Sequence, residues 1–171
     1  MKLSLTNIRM AGLIDTIPTA KLLSFSTAFT LAGYNLSFSQ NVLPAIYDHR
    51  PQFSALAFRQ IYKSFYPLVP CLSLLSVSSS AYLAYVLPTE EKRQWQVAAL
   101  TMFGSLSWTA WVMIPGTERL RAIAEKKEVT EKSEMNLEHR QLMIRWVKQN
   151  YVVVALQFVS AVLGLRAAMG S

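Results

Sequence analysis

Residues 149–169 read QNYVVVALQFVSAVLGLRAAM and contain a single charged side chain, Arg166. A helix needs ~20 apolar residues to cross the ~30 Å hydrocarbon core of a bilayer, and this stretch is long enough. Three further stretches, at roughly 22–43, 66–87 and 95–114, have a similar length and carry no charged residue. The four runs predict an all-α integral membrane protein, built as a four-helix bundle with short interfacial helices.

The spacing of these runs also predicts how the chain is divided. Residues 1–21 have apolar positions near helical spacing and contain Pro18, which predicts an N-terminal interfacial segment that ends at this proline. Residues 22–171 then form the four-transmembrane-helix domain. With 171 residues in total, the chain has no room for a second soluble domain.

The connections between the runs carry their own helix signals. A short helix is predicted from Gln52 to Phe65, and a second helix from about Ser133 is predicted to run straight into the fourth span. The Pro115–Gly116 pair is predicted to stop the third span. Thr117 would then cap a new helix that ends near Glu128.

Charge and cysteine content exclude several classes of function. The net charge of +7 invites a nucleic-acid interpretation, but the basic residues are spread over the connections and mixed with acids between Glu118 and Glu138. Phosphate binding needs a continuous basic face, so no nucleic-acid partner is predicted. The single cysteine excludes an internal disulfide and a cysteine-based metal cluster. The two histidines are too sparse for a metal site unless Asp48 or Glu138 joins them, and no metal is predicted.

The distribution of lysine and arginine predicts the orientation in the membrane. Six basic residues lie on the side that holds both termini and the second connection, namely Lys2, Arg9, Lys21, Lys92, Arg93 and Arg166. The other side carries eleven, namely Arg50, Arg59, Lys63, Arg119, Arg121, Lys126, Lys127, Lys132, Arg140, Arg145 and Lys148. The first and third connections are therefore predicted to be cytoplasmic, and both termini non-cytoplasmic.

Polar residues recur at helical spacing inside the apolar runs. The stripes are Ser24, Thr27, Asn35 and Ser39; Ser73, Ser76 and Ser80; Thr101, Ser105, Trp108 and Thr109; and Trp146, Asn150 and Gln157. Unpaired polar groups are costly in hydrocarbon, so these stripes should face one another inside the bundle. One interpretation is interhelical packing through small polar residues. The other is a pocket for a flat ligand, lined by Asn35, Trp108, Trp111 and Asn150.

The predicted cytoplasmic end offers candidate catalytic side chains. Asp48 and His49 follow the first span, Arg119 follows the third, and Arg145 precedes the fourth. These residues form either a solvated charged rim or the mouth of a pocket. In the second case, His49 or Asp48 would act as a base, and Arg119 or Arg145 as the cation that stabilises an anion.

The order of these features resembles the anthrone oxygenase family of small four-span membrane proteins, known mainly from fungal polyketide pathways. The matching positions extend over most of the chain, namely Gly33, Ser37, Ser39 and Val42-Leu43-Pro44-Ala45; Gln60, Tyr62, Pro70, Ser73, Ser76, Tyr82, Leu83 and Ala84; Trp111, Met113, Pro115 and Leu120; and Trp146, Asn150 and Val162-Leu163-Gly164-Leu165. Each motif alone is weak, whereas the shared order across four spans is more specific.

The resemblance implies a membrane-bound oxygenase of secondary metabolism that oxidises an anthrone-like polycyclic phenol to a quinone. It implies dioxygen as co-substrate, no cofactor, and a small aromatic polyketide as substrate. It also implies the endomembrane system of a eukaryote, namely the endoplasmic reticulum. The alternative is a non-catalytic four-span protein that scaffolds or stabilises a membrane complex. A homo-oligomer or a membrane complex is left open, and the lipid bilayer is the expected partner in every case.

Overall fold

The computed structural model describes residues 5–47, 49, 51–65, 67–125 and 133–170, and within these ranges all regular structure is helical. The all-α prediction is therefore confirmed. The α-helices, in chain order, are α1 (Leu5–Ser37), α2 (Leu43–Tyr47), α3 (Pro51–Phe65), α4 (Leu68–Val86), α5 (Thr89–Trp108), α6 (Ile114–Glu125) and α7 (Ser133–Met169). Two five-residue π-helical segments join neighbouring helices without a break, Phe38–Val42 between α1 and α2, and Thr109–Met113 between α5 and α6.

Two prolines do not end a helix where the sequence predicts that they should. Pro18 lies inside α1, which continues to Ser37, so the predicted end of an interfacial helix at this residue is wrong. Pro115 lies in the first turn of α6, where proline is tolerated, directly after a π-helical segment. Thr117 is accordingly not an N-cap, and its hydroxyl donates a 3.1 Å hydrogen bond to the carbonyl of Met113. The helices predicted from Gln52 and from Ser133 are present as α3 and α7.

Four long helices pack side by side, each against two others. α1 and α5 both pack against α4 and α7, so that α1 lies diagonally opposite α5, and α4 diagonally opposite α7. Neighbours run antiparallel: Ser160 of α7 donates to the carbonyl of Ala98, while Trp108 farther along α5 donates to the carbonyl of Gln149 earlier in α7. α3 packs against α6 and α7 at the end of the molecule that contains the π-helical segments.

Three segments of the described chain are long and apolar enough to cross a membrane: Leu68–Val86, Glu91–Ile123 and Leu137–Met169. The shortest has 19 residues, which at 1.5 Å per residue gives about 28 Å, close to the thickness of a hydrocarbon core. The first apolar run is also helical, but it is not among the three. Its serines, threonines and Asn35 dilute its apolar residues.

The outer surface of the long helices is apolar. Large exposed hydrophobic side chains occur on all four, among them Leu22, Leu74, Tyr85, Leu100, Phe103, Phe158 and Val162. The buried positions, in contrast, include many small polar residues. Apolar surface of this extent marks a face that meets lipid or a partner, and the pattern is consistent with an integral membrane protein.

Candidate functional site

Buried amides join α1 to α7. Nδ2 of Asn35 donates a 2.9 Å hydrogen bond to Oε1 of Gln157. Nδ2 of Asn150, two turns earlier in α7, donates both to the backbone carbonyl of Asn35 at 3.1 Å and to Oγ of Ser39 at 2.8 Å. All four residues are buried. The prediction that these polar residues face one another is confirmed, and it rests on the high cost of an unpaired amide inside an apolar bundle.

Serines join α1 to α4 in the same way. Oγ of Ser24 shares a hydrogen bond with Oγ of Ser80, and Oγ of Ser76 donates to the carbonyl of Ser24 at 2.9 Å. The three side chains are fully buried. Small hydroxyl residues let helices approach closely and form hydrogen bonds with one another. At the level of these serines, α1 and α4 are therefore in close contact.

An aromatic cluster occupies the other end of the bundle. The ring of Trp146 meets those of Phe38 and Phe58 edge to face, with centroids 5.5 and 5.6 Å apart. Its indole N–H donates a 3.1 Å hydrogen bond to Oγ1 of Thr117. Buried indoles usually find such a partner. Trp146 is thereby held in place by the π-helical segment Phe38–Val42, by α3 and by α6.

A cavity of about 220 Å³ lies between the aromatic cluster and the serine contacts that join α1 to α4. Most of its lining is apolar, and all four long helices contribute: Tyr34, Asn35, Phe38, Ile61, Tyr62, Val69, Pro70, Ser73, Ser105, Leu106, Thr109, Ala110, Met113, Ile114, Trp146, Asn150, Val153 and Gln157. The polar groups are hydroxyls, amides and one indole. An apolar pocket with a few placed polar groups is the usual form of a small-molecule site.

One of the lining residues keeps hydrogen-bonding capacity that the described residues do not use. Oγ of Ser73 is buried and has no hydrogen-bond partner in the described part of the chain. A buried donor without a partner costs about 1–3 kcal/mol. The Ser73 hydroxyl therefore favours a ligand that carries an acceptor.

The structure separates the four residues that the sequence predicted to bind substrate. Asn35 and Asn150 line the cavity. Trp108 does not line it, because its indole packs behind the wall and donates to the carbonyl of Gln149 at 3.2 Å. Trp111 is 83% exposed on the outer surface, so its placement in a slot is wrong. The π-helical segment turns this residue outward, where it has the character of an interfacial aromatic.

The charged candidates do not meet at the cavity. His49, Arg119 and Arg145 are exposed and absent from its lining, and the His49 ring packs edge to face on Phe53. Asp48 lies outside the described residues. The prediction of a base and a cation at the pocket mouth is thus not supported by the positions of His49, Arg119 and Arg145. A charge run in sequence could not distinguish a solvated rim from a pocket wall.

Sequence reasoning missed other features of the site. Gln157 and Ser73 belong to the polar stripes, but neither is among the pocket residues predicted from the sequence. The π-helical segments were not anticipated, although both contribute to the lining through Phe38, Thr109, Ala110 and Met113. π-helical turns recur at functional sites. The sequence gives one indication of the segment after Trp108. Trp108, Trp111 and Pro115 fall nearly on one line of a regular helix, and a regular helix would therefore turn all three to the same side.

One histidine is buried away from the cavity lining. Nε2 of His139 on α7 lies 2.6 Å from Oγ of Ser54 on α3, and both residues are essentially inaccessible. Nδ1 of His139 has no partner in the ranges that the structure describes. The same ranges contain no group of three histidine, cysteine or acidic residues that could hold a metal ion. The pair attaches α3 to α7.

The fold and the site together define a class: an all-helical chain with three helices able to span a membrane and an apolar cavity among its long helices. Residues 58–163 match the sequence profile of the family described as anthrone oxygenase. The match covers more than half of the chain, and the chain belongs to the anthrone oxygenase family, as its sequence resemblance indicated. Comparisons with curated proteins and with solved structures gave no match.

Proposed function

We propose that this protein is a membrane-bound oxygenase that oxidises an anthrone-like polycyclic phenol to the corresponding quinone with dioxygen, without a cofactor. The observation that carries the proposal is the apolar cavity with buried polar groups on its wall. Apart from Tyr34, Asn35 and Phe38, every described lining residue falls within the region matched by the family profile.

The size of the cavity supports a ring system as ligand. An apolar protein cavity of ~150 Å³ accommodates benzene, and this one has about 220 Å³. The walls are formed by rings and branched side chains, including Tyr34, Phe38 and Val153. A flat fused aromatic fits such walls because it buries apolar area without leaving charged groups unsolvated.

The reaction proposed for the cavity balances with dioxygen alone. Loss of a proton from the methylene between the two aryl rings gives a delocalised anion whose charge lies largely on the keto oxygen. This anion reduces dioxygen by one electron, and the two radicals combine to form a carbon–oxygen bond. The resulting peroxide anion takes up one proton, which balances the proton released in the first step. The hydroperoxide then loses its remaining methylene hydrogen as the oxygen–oxygen bond breaks, so one oxygen atom ends in the new carbonyl and the other in water.

The protein's part in this reaction is positioning and electrostatic stabilisation. Hydrogen-bond donors aimed at an oxygen that gains charge act most strongly in a site that excludes water. Oγ of Ser73 is a buried donor without a partner among the described residues, and the amide of Gln157 is the second donor proposed. By stabilising the anion, they would raise the acidity of the methylene. Asn150 and Asn35 are proposed to fix the wall against which the rings lie.

The proposed setting is a bilayer crossed four times. In this proposal α1 crosses the bilayer together with the three candidate spans, and its packing between α4 and α7 and its exposed apolar residues such as Leu22 support that arrangement. Both termini would then lie on one face, predicted to be the non-cytoplasmic face of the endoplasmic reticulum membrane of a eukaryote. A small aromatic polyketide would reach the cavity from the lipid phase.

A second candidate function is a non-catalytic protein that scaffolds a membrane complex. The observation that favours it is the interlocking of the polar stripes, since Asn35, Gln157, Ser24 and Ser80 satisfy each other across helix interfaces. Hydrogen bonds of this kind are sufficient to hold a bundle together without any ligand.

Aerobic turnover distinguishes the two functions. Purified protein in detergent or vesicles would be mixed with several anthrones, and quinone absorbance followed against the spontaneous rate. We expect acceleration by the intact protein and a loss of it in Ser73→Ala, with Ser78→Ala, an exposed position on the same helix α4, as the matched control. If the intact protein speeds none of the anthrones, the oxygenase proposal is abandoned and the scaffold function is favoured.

A further inference from the structure

The wall of the cavity is accessible on one side of the bundle. Its lining residues on α7 are all buried, namely Trp146, Asn150, Val153 and Gln157. The lining residues that are half-buried or exposed come from the other elements, namely Tyr34, Ile61, Tyr62, Val69, Pro70, Leu106, Thr109, Ala110 and Ile114. Because α4 lies diagonally opposite α7, the accessible part of the wall is on the α4 side of the molecule.

α4 is too short to cover this side along its whole height. α4 has 19 residues and α5 has 20, and the two helices are joined through Leu87 and Pro88. Because neighbouring antiparallel helices rise equally per residue, Leu68 at the start of α4 is level with about Trp108, the last residue of α5. The π-helical segment Thr109–Met113 therefore extends beyond the start of α4.

The register of α1 against α4 agrees with this reading. Ser24 of α1 contacts both Ser76 and Ser80 of α4, and Leu68 lies about two to three turns before these serines. The start of α4 is therefore level with residues 32–36 of α1, which include Tyr34. Tyr34 and Ala110 thus lie near the level at which α4 begins, on the two helical stretches that flank it.

α3 closes the end of the bundle next to this level. Ile61 and Tyr62 line the cavity, and the ring of Tyr62 stacks on that of Phe58 with centroids 5.8 Å apart. The helices that α3 mainly packs against are α2, α6 and α7. These contacts hold α3 at the end of the bundle, so the described helices leave an opening between the start of α4, Tyr34 and Ala110.

The surroundings of this opening are apolar. Leu68, Trp111 and Ile114 are 47%, 83% and 37% exposed beside it. Residues 66–87 and 95–114 carry no charged side chain, and α4 and α5 both belong to candidate spans. Exposed tryptophan is typical of the boundary between hydrocarbon and headgroups. In a bilayer, the opening would therefore face lipid near that boundary.

From this arrangement we infer that flat ring ligands enter and leave the cavity sideways from the bilayer, through the opening between the start of α4, Tyr34 and Ala110. Ala110 determines access, because its side chain is the smallest in the lining and a larger one would narrow the passage. The inference rests on the proposed function in taking a flat polycycle as the ligand. It adds the route, and it makes the residues around the opening determinants of which ring systems reach the site.

Exchange kinetics in phosphatidylcholine vesicles test the route, with anthraquinone as the probe. Trp146 lies on the cavity wall, and the part of the tryptophan quenching that Trp146→Phe abolishes is the signal. Ala110→Phe should slow association and release by the same factor, about tenfold or more, and leave the affinity unchanged, because a narrower passage raises the barrier in both directions. Val69→Phe should slow both rates from the α4 edge of the opening.

Ala155→Phe and Val159→Phe are the matched controls, because both residues are exposed on α7 and neither lines the cavity. They should leave both rates unchanged, and thermal unfolding of each variant shows that it is folded. Unchanged rates in both Ala110→Phe and Val69→Phe would overturn the inference. Weaker affinity at an unchanged association rate would also overturn it, as would a failure of anthraquinone to bind the intact protein.

Quenching by nitroxide-labelled acyl chains tests whether the opening faces lipid. Trp111 directly follows Ala110 and is exposed, and its share of the emission is the part lost in Trp111→Phe. We expect the acyl chains to quench this share, and an absence of quenching would overturn entry from the bilayer. If anthraquinone exchange responds as expected while anthrone oxidation is not accelerated, the oxygenase proposal fails and the entry route stands.

Discussion

Asn35 on the first long helix and Gln157 on the last are joined by a 2.9 Å hydrogen bond, although 122 positions separate them in the chain. The bond does two things at once. It fastens α1 to α7 through a buried polar contact, and it orients the glutamine side chain at the cavity wall. Structure and binding are therefore linked at this pair.

Asn35→Ala should destabilise the protein by about 1–3 kcal/mol, because Oε1 of Gln157 would remain buried without a donor. Thermal unfolding in a mild detergent measures the change. Asn41→Ala is the matched control, since Asn41 is an exposed asparagine just beyond the same helix and contacts only Ser37 at 3.4 Å among the described residues. Equal unfolding temperatures for the two variants would contradict a structural role for the amide pair.

Ser73→Ala should raise the unfolding temperature of the ligand-free protein. Removing a buried hydroxyl that lacks a partner relieves its desolvation cost, which is about 1 kcal/mol or more. Ser76→Ala provides the contrast on the same helix, because Ser76 donates to the carbonyl of Ser24 and should lose stability when truncated. A lower unfolding temperature for Ser73→Ala would indicate a partner that the structure does not include.

Thr117→Val should leave the indole N–H of Trp146 without an acceptor and cost about 1–3 kcal/mol. Thr117→Ser keeps the hydroxyl and should retain most of the stability. The emission of Trp146 should also shift in the valine variant, since its only described hydrogen bond is gone. Identical unfolding curves for the valine and serine variants would show that this bond does not stabilise the helix ends.

Trp111→Ala should leave anthrone oxidation within about twofold of the intact protein, because the side chain is 83% exposed on the outer surface. Trp146→Phe should lower it, since this ring lines the cavity and is oriented by Thr117. The activity ratio of the two variants is the measurement. A large loss in Trp111→Ala with Trp146→Phe unaffected would restore the slot predicted from the sequence.

Tags at the two ends of the chain should be accessible from the same side of sealed vesicles if α1 is a span, since an even number of crossings returns the chain to its starting face. Protease protection of an N-terminal and a C-terminal epitope gives the answer, and solubilised vesicles serve as the control. Opposite accessibility would leave three crossings and contradict the four-span arrangement.

The sequence predicted the helices and the inward-facing polar residues well, because both follow from local composition. Asn150, Gln157 and Ser76 are buried and hydrogen-bonded, because an unpaired polar group inside an apolar bundle is costly. The failures concern details that depend on packing. Pro115 signals a break in isolation, yet a preceding π-helical turn lets it begin a new helical stretch.

The site was predicted only in part, for a related reason. Helical spacing places Trp108 and Trp111 on one inward line only when every turn has the same number of residues, and the π-helical segment breaks that regularity after Trp108. Charged residues at helix ends, such as Arg119 and Arg145, give no local indication of whether they face solvent or a pocket. Whether these side chains face solvent or a pocket depends on long-range contacts, which cannot be read from a single sequence.

The π-helical segment Thr109–Met113 separates the cavity from the outer surface of the bundle. Ala110 and Met113 lie on the cavity side and Trp111 on the outside, so the wall at this point is one helix thick. A π turn is an α turn with one residue inserted, and deleting that residue would rotate everything beyond it by about 100°. Deleting one residue in this segment would therefore change which side chains of the helix face the cavity. Selection for a new ligand can thus act on the length of the chain as well as on the identity of its side chains.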